Sequence, residues 1–279
     1  MSDISLLGAS EIRKLAESLD LKPTKTLGQN FVIDANVCKK IVRLAEIERS
    51  DHVVEIGPGL GSLTLALCQI AEKVTAIEID ERLAMRLATT ASEHGVQSGL
   101  RVINQDALKV TSLVDAPNKL VANLPYNVSV PVFLQFLERF PSIQSGVIMV
   151  QSEVAERLAA RPGSKIYGAP SAKAAWWCDV ELIDSVSRSI FWPIPNVDSS
   201  LVGFKRHDPL GDESLRELTF DLVDRAFGQR RKMLRAALSG RFESSKAAES
   251  AISEAGIDPT LRGEALSIED FASLARTLR

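Results

Sequence analysis

Hydrophobic and polar positions change period many times along this chain. Val53-Val54-Glu55-Ile56 is a short apolar run closed by glycines, the pattern of a strand buried on both faces. From Ser62 to Ala71 the apolar residues recur at helical spacing. Further strands are predicted at Lys73 to Ile79, Leu100 to Asn104, Lys119 to Asn123 and Gly146 to Gln151, with helices at Glu81 to Glu93 and Val130 to Phe140. Strands alternating with helices predict an α/β fold, a parallel sheet covered on both faces. Val180 to Val186 and Ser200 to Lys205 lie close together without a long helix between them, which predicts an antiparallel hairpin at one sheet edge.

Both ends of the chain read as helical. Residues 10 to 19 form an amphipathic helix with Ser10 as N-cap, broken by Lys22-Pro23-Thr24-Lys25. The polar turn Thr26-Leu27-Gly28-Gln29-Asn30-Phe31 then leads into a helix from Asp34 to about Ala45. After Lys205 the composition changes: His207-Asp208-Pro209-Leu210-Gly211-Asp212 is a linker, and an Ala, Leu, Arg and Glu-rich stretch follows. Helices are predicted there at Glu213 to Phe227, Arg230 to Leu238, Ser244 to Ala255 and Ile268 to Leu278. The expected division is a large domain over 1–207 and a small all-helical one over 208–279.

With 279 residues, 45% hydrophobic and 25% charged, the composition is that of an ordinary globular protein. No stretch approaches the roughly 18 to 20 apolar residues of a membrane helix, and Met1 to Leu7 does not read as a signal peptide, so no membrane partner and a cytoplasmic location are expected. Cys38, Cys68 and Cys178 stand far apart, as do His52, His94 and His207, so neither a metal site nor a Ser/His/Asp triad is expected. A net charge of -3 argues against indiscriminate nucleic-acid binding. It conceals a run from Arg225 to Arg241 with six basic residues and no acid, which is either a solvated helix face or a phosphate-binding surface.

Candidate chemistry begins at Gly57-Pro58-Gly59-Leu60-Gly61. Glycines let a backbone approach a ligand closely and adopt positive φ, and the helix behind them turns its free N–H groups and positive dipole end toward that ligand. Glu78 closes the next strand about 20 residues on, where an acid accepts hydrogen bonds from both ribose hydroxyls. Asp106, just past the third strand, is placed to accept from an adenine amino group. A nicotinamide-dependent oxidoreductase would show a similar loop and acid, and a glycine turn without function would show the loop alone. The Gly-x-Gly-x-Gly spacing departs from the dinucleotide pattern, and Asn123-Leu124-Pro125-Tyr126 after the fourth strand points to other chemistry.

An adenine amino nitrogen is a poor nucleophile because its lone pair is delocalised into the ring. If the side-chain oxygen of Asn123 and the carbonyl of Leu124 accept its two hydrogens, the nitrogen can pyramidalise and aim its lone pair at a methyl carbon. Such hydrogen bonds strengthen as positive charge builds on nitrogen, so they favour the transition state. Pro125 stiffens the turn and Tyr126 offers a face for stacking. The expected methyl donor is S-adenosyl-L-methionine, and the transfer needs no metal, only proximity and alignment. The target base must be single-stranded or flipped out, which makes an unstacked base in RNA the expected substrate.

Taken together, these residues resemble the small-subunit (16S) ribosomal RNA adenine N6,N6-dimethyltransferase family. The resemblance runs from about Thr26 to Arg235. It is carried by Leu27-Gly28-Gln29-Asn30-Phe31, the glycine loop, Glu78-Ile79-Asp80, Asp106-Ala107 and Asn123-Leu124-Pro125-Tyr126-Asn127. Phe191-Trp192-Pro193-Ile194-Pro195-Asn196-Val197-Asp198-Ser199 and the run from Ala226 to Arg235 complete it. It implies a Rossmann-like methyltransferase sheet and S-adenosyl-L-methionine-dependent dimethylation of two adjacent adenines near the 3′ end of 16S rRNA. It also implies the small ribosomal subunit or its precursor as partner and a role in ribosome biogenesis, and a monomer is expected. Position by position, the resemblance implies that Asn30 and the backbone of Val32 line the methionine side of the cofactor, that Gly57 touches its carboxyl end, Glu78 its ribose and Asp106 its adenine, and that Asn123 spans cofactor and target amine. Tyr126 and Phe191 would then sandwich the target base. A core aromatic before a proline turn is the competing reading of Phe191. The arginine-rich run would hold rRNA through phosphate contacts that orient more than they select sequence.

One segment departs from the family. After Lys165-Ile166-Tyr167-Gly168 stands Ala169-Pro170-Ser171-Ala172-Lys173-Ala174-Ala175-Trp176-Trp177, where the paired aromatics survive as tryptophans, and the change bears on local packing. The nearest rival is the 23S rRNA adenine dimethylase that confers macrolide resistance. The run from Phe227 to Arg235 and the low net charge favour the small-subunit enzyme. A binding factor for ribosome assembly or transcription is a second class of reading, against which the intact Gly57, Glu78, Asp106, Asn123 and Tyr126 argue.

Overall fold

The structure, a computed structural model, describes residues 4–21, 30–242 and 244–279. Residues 22–29, which hold the expected helix break and most of the polar turn, lie outside the described residues. The first elements are α1 (Ala9–Ser18), β1 (Phe31–Val32) and α2 (Ala35–Leu44). Alternating units follow as β2 (His52–Ile56), α3 (Ser62–Cys68), β3 (Lys73–Glu78), α4 (Glu81–Glu93), β4 (Leu100–Asn104), β5 (Lys119–Asn123), α5 (Ser129–Arg139) and β6 (Ser145–Gln151). Then come α6 (Ser152–Leu158), α7 (Ala169–Ala174), β7 (Cys178–Val186), β8 (Phe191–Trp192) and β9 (Ser199–Arg206). The chain closes with α8 (Glu213–Gly228), α9 (Leu234–Ala237), α10 (Ser245–Glu254) and α11 (Ile268–Arg276).

The main sheet has seven strands in the order β4-β3-β2-β5-β6-β9-β7. From β4 to β6 all neighbours are parallel, and β9 runs antiparallel on β6. The two strands of the expected edge hairpin, β7 and β9, are indeed the last two of the sheet. β2 is buried at all five positions, as the apolar run requires of a strand covered on both faces. The chain winds outward from β2 to β4 and then returns to lay β5 on the other side of β2. Between β2 and β5 the order therefore reverses, which is where open α/β sheets bind ligands beyond their strand ends.

The chain divides into two compact units, one reaching to Ala155 and including Glu181–Arg206, the other made of Glu156–Val180 and His207–Arg279. In the second unit the divergent segment is well packed: Trp176 and Trp177 are buried and meet Phe220 edge-on at 6.1 and 5.3 Å. The Arg216 guanidinium lies over both the Trp177 and Phe220 rings.

Three local expectations are corrected. Ser10 lies inside α1, whose N-cap is Gly8 and makes no side-chain cap bond. The helix expected at Arg230 to Leu238 shrinks to α9, because the backbone N–H groups of Leu234 and Arg235 are drawn to the carbonyls of Leu261 and Pro259. A two-stranded ribbon, β1 antiparallel to β8, adds to the predicted strands; it pairs Val32 with Phe191 and Phe31 with Trp192.

Candidate active site

The C-terminal ends of β2, β3 and β5 wall a cavity that opens to solvent, a concave site of the kind that small molecules occupy. Its floor is the loop after β2. There Gly59 and Gly61 have φ of 58° and 101°. A Cβ at Gly59 would stand 3.0 Å from the Phe31 ring, and one at Gly61 would stand 2.7 Å from Leu87 Cδ1. The glycines thus let the loop lie close under the ligand space, with Phe31 and α4 packed behind it.

Glu78 closes β3 with its carboxylate buried against this loop. One oxygen accepts from the Gly59 N–H at 3.1 Å and the other from the Asp80 N–H at 3.0 Å. Burial pushes its pKa up, against those backbone hydrogen bonds that pull it down. A carboxylate offers about four acceptor sites, so these backbone donors leave capacity for a hydroxyl donor. Asp80 serves the fold, capping α4 through the Arg82 N–H. Asp106 caps the short turn at Ala107–Lys109 through the Leu108 N–H at 3.0 Å and borders the cavity. Asn30, Val32 and Gly57 line it as well. The Val32 carbonyl accepts from the Ser62 hydroxyl at 2.6 Å, tying β1 to the start of α3.

Asn123 ends β5 beside the switch point. Its Nδ2 donates to the Asn30 carbonyl at 3.3 Å, while its Oδ1 is buried without a hydrogen-bond partner. A buried acceptor left unsatisfied costs about 1–3 kcal/mol, so this atom in the cavity wall is poised to take a donor. The Leu124 N–H donates to the Met149 carbonyl at 3.0 Å, fixing the turn, and Leu124, Pro125 and Tyr126 all line the cavity. Tyr126 Oη and Ser199 Oγ share a hydrogen bond of 2.7 Å, and burial raises the phenol pKa, so the ring is held neutral. Phe191 is placed elsewhere: it is fully buried in the apolar cluster with Val32, Val121, Met149 and Leu201, and does not line the cavity.

Ile79 and Glu55 also line the cavity, without a role in the motif reading. Ile79 is 56% exposed at the end of β3, an apolar surface that a planar ligand would cover. Glu55 is 1% exposed and lines the cavity, accepting from the Thr64 hydroxyl at 2.6 Å. Its only signal in the sequence is a charge inside an apolar run. Burial, reinforced by the Glu78 charge, pushes its pKa up to about 8, the Thr64 bond opposing. The folded state therefore holds this proton more tightly than the unfolded chain. Its stabilising contribution is complete below the ordinary value of 4.5 and is lost as pH rises through about 8. Glu55→Gln is expected to spare the ligand-free protein a loss of roughly a few kcal/mol between about pH 5 and pH 9. Denaturant unfolding across that range, with equal pH slopes for both proteins, would count against the buried-acid explanation.

Cys38 and Cys68 are free thiols pushed up to about 12 by burial and the Glu55 charge, so they are unreactive at neutral pH. Among the described residues no group of three His, Cys, Asp or Glu side chains is placed to hold a metal ion. None of the helices there is long and apolar enough to cross a membrane. In the basic run, Arg225 and Arg241 pair with Asp221, Arg230 with Glu264 and Arg235 with Glu249. Arg231 and Lys232 are exposed and form no ion pair among the described residues.

A family model described as ribosomal RNA adenine dimethylase matches residues 21–279. The chain is 56% identical to the ribosomal RNA small subunit methyltransferase A of Leifsonia xyli subsp. xyli, covering 99% of each protein. With the protein of the same name from Thermobifida fusca it shares 54%, over 98% of this chain and 96% of that one. Among solved structures, a dimethyladenosine transferase from Plasmodium falciparum superposes with a TM-score of 0.75 at 27% identity, covering 86% of this chain and 94% of that one. The 23S rRNA methyltransferase ErmE gives 0.68 at 26% identity, covering 89% and 99%.

Proposed function

Because the chain belongs to the ribosomal RNA adenine dimethylase family and is an enzyme of that kind, we propose that it dimethylates the N6 amines of two adjacent adenines near the 3′ end of small-subunit rRNA. The observation that carries this reading is the unpartnered, buried Asn123 Oδ1 in the cavity wall. Relatives above half identity bear the small-subunit name, while the large-subunit enzyme stands at 26%, which favours the first substrate over the second.

The residues fit S-adenosyl-L-methionine: a loop beside the cavity with Gly57 and Gly59 at positive φ, a buried acid with acceptor capacity to spare, and an exposed apolar surface at Ile79. When bound, this cofactor supplies a methyl group already activated on a positively charged sulfur. Asn30, the backbone of Val32 and Gly57 hold its methionine end, Glu78 its ribose and Asp106 its adenine. Asn123 Oδ1 and the Leu124 carbonyl accept the two hydrogens of the target amine and turn its lone pair out of the ring plane. They stabilise the charge that develops on nitrogen, and the proton leaves afterwards. Tyr126, anchored through Ser199, offers the stacking face, and Phe191 backs the wall of β1 from the core.

Arg231 and Lys232 are the proposed phosphate contacts on the helical unit. Replacing both with alanine is expected to weaken binding to small subunits and to lower the magnitude of the log–log salt slope by about 1.5 to 2. Arg230→Ala should instead mainly destabilise the protein, since that side chain holds Glu264 and the Lys165 carbonyl. A filter-binding salt titration with an unchanged slope for the double variant would remove the two residues from the RNA surface.

Substrate choice is tested by incubating the protein and labelled S-adenosyl-L-methionine with small subunits that lack the modification or with protein-free large-subunit RNA. Label confined to the small subunits supports the proposal; label confined to the large-subunit RNA overturns it.

A further inference from the structure

The Asn123 side chain ends in an amide whose two ends have nearly the same shape and opposite hydrogen-bonding sense. With Oδ1 in the cavity wall it accepts from an amine. Rotated by half a turn it would present N–H groups to the hydrogens of that same amine and repel them. What separates the two orientations is the group behind the amide. Nδ2 donates to the Asn30 carbonyl at 3.3 Å, and in the rotated sense Oδ1 would meet that carbonyl, acceptor against acceptor. The free protein carries the productive sense, with Oδ1 buried and unpartnered.

The position of the Asn30 carbonyl depends on β1. Backbone groups alternate between the two edges of a strand. The Ile33 N–H is turned to the Ile190 carbonyl beside β8, so the carbonyls of Val32 and Asn30 are turned to the opposite edge. There the Val32 carbonyl accepts from the Ser62 hydroxyl at 2.6 Å and the Asn30 carbonyl from Asn123. The strand is only two residues long, β8 holds its far edge, and Ser62, in the first turn of α3 and in the cavity wall, holds the edge that Asn123 reads.

We propose that Ser62 is a positioning residue for methyl transfer: its hydroxyl fixes the free edge of β1, and through the Asn30 carbonyl it sets the sense in which the Asn123 amide meets the target amine. This deepens the reading of Asn123 given above and rests on it. Without the hydroxyl the Val32 carbonyl loses its donor, β1 can twist about its pairing with β8, and the Asn30 carbonyl no longer singles out one end of the amide. A fraction of the molecules then offers the wrong group to the amine.

Misplacing a reacting group by about 1 Å costs up to about 10²-fold in rate, so Ser62→Ala is expected to lower kcat roughly tenfold while S-adenosylmethionine affinity changes by less than about threefold. The test is a double-mutant cycle in the full-length protein with Ser62→Ala and Asn123→Ala. It is read by single-turnover methylation of small subunits that lack the modification, by calorimetric titration of the donor and by thermal unfolding. The lost hydrogen bond should lower the unfolding midpoint equally in both backgrounds, because the Ser62–Val32 contact is present in each. Turnover should respond differently: Ser62→Ala slows the parent protein but leaves Asn123→Ala at the rate it already has, since no amide remains to be oriented. An equal loss of rate in the two backgrounds, an unchanged rate in the parent, or a fall in donor affinity as large as the fall in rate overturns the inference and leaves the assignment of Asn123 in place. If Asn123→Ala itself methylates as fast as the parent protein, both readings fail.

Discussion

Asn123→Ala is expected to lower kcat by a factor on the order of 10²–10³, the scale seen when one preorganised hydrogen-bonding group at a developing charge is removed. The free protein already holds Asn123 Oδ1 buried and unpaired, so the cost of desolvating this acceptor is met before the substrate arrives. Alanine removes that acceptor and the 3.3 Å bond from Nδ2 to the Asn30 carbonyl, a weak contact at the edge of the cofactor space. S-adenosylmethionine affinity should therefore fall only a few-fold while turnover collapses. Single-turnover kinetics beside calorimetric binding separate the two effects. If the titration shows binding lost along with turnover, Asn123 is mainly a cofactor ligand and the amine must be held by other groups.

Glu78→Ala is expected to give the opposite division. Each hydrogen bond to a charged group contributes about 1.5–3 kcal/mol, so losing two to the ribose should weaken S-adenosylmethionine binding by at least about 10²-fold. The Gly59 and Asp80 N–H groups lose their acceptor in the same step, which loosens the loop. The fold itself should survive, because burial already disfavours the Glu78 charge and its removal relieves that penalty. KM for the cofactor should rise steeply and kcat recover near saturation. An unchanged KM would place the ribose elsewhere.

The parallel core of the fold was legible because a doubly covered strand writes its burial as a short, mostly apolar run, and β2, β3, β5 and β6 all do so, with Glu55 inside β2 and Thr75 inside β3. The ribbon of β1 and β8 was not. Two-residue strands carry no period, and the Val32–Phe191 pairing joins distant parts of the chain. Phe191 shows the same limit: its motif implied a base-stacking ring, whereas its burial is set by β1 and β6, far away in sequence. In the basic run the acids that neutralise Arg230 and Arg235 are Glu264 and Glu249, outside the segment whose charge looked unopposed. Of the candidate site, the glycine loop, Glu78 and Asn123 could be named from spacing and family motifs. The state of Glu55 could not, since it depends on how completely α2 and α3 close over the end of β2. Nor could the Tyr126–Ser199 bond, which spans 73 residues.

The measurement that bears most directly on the chemistry is mass-spectrometric mapping of methylation in small-subunit RNA after reaction with the purified protein and S-adenosylmethionine. Two adjacent adenines near the 3′ end, each carrying two methyl groups on N6, are the expected result, with the signal absent for Asn123→Ala. Methylation of a ring nitrogen, of a ribose oxygen or of a different base would contradict the assignment of Asn123 and Leu124 as acceptors for an exocyclic amine.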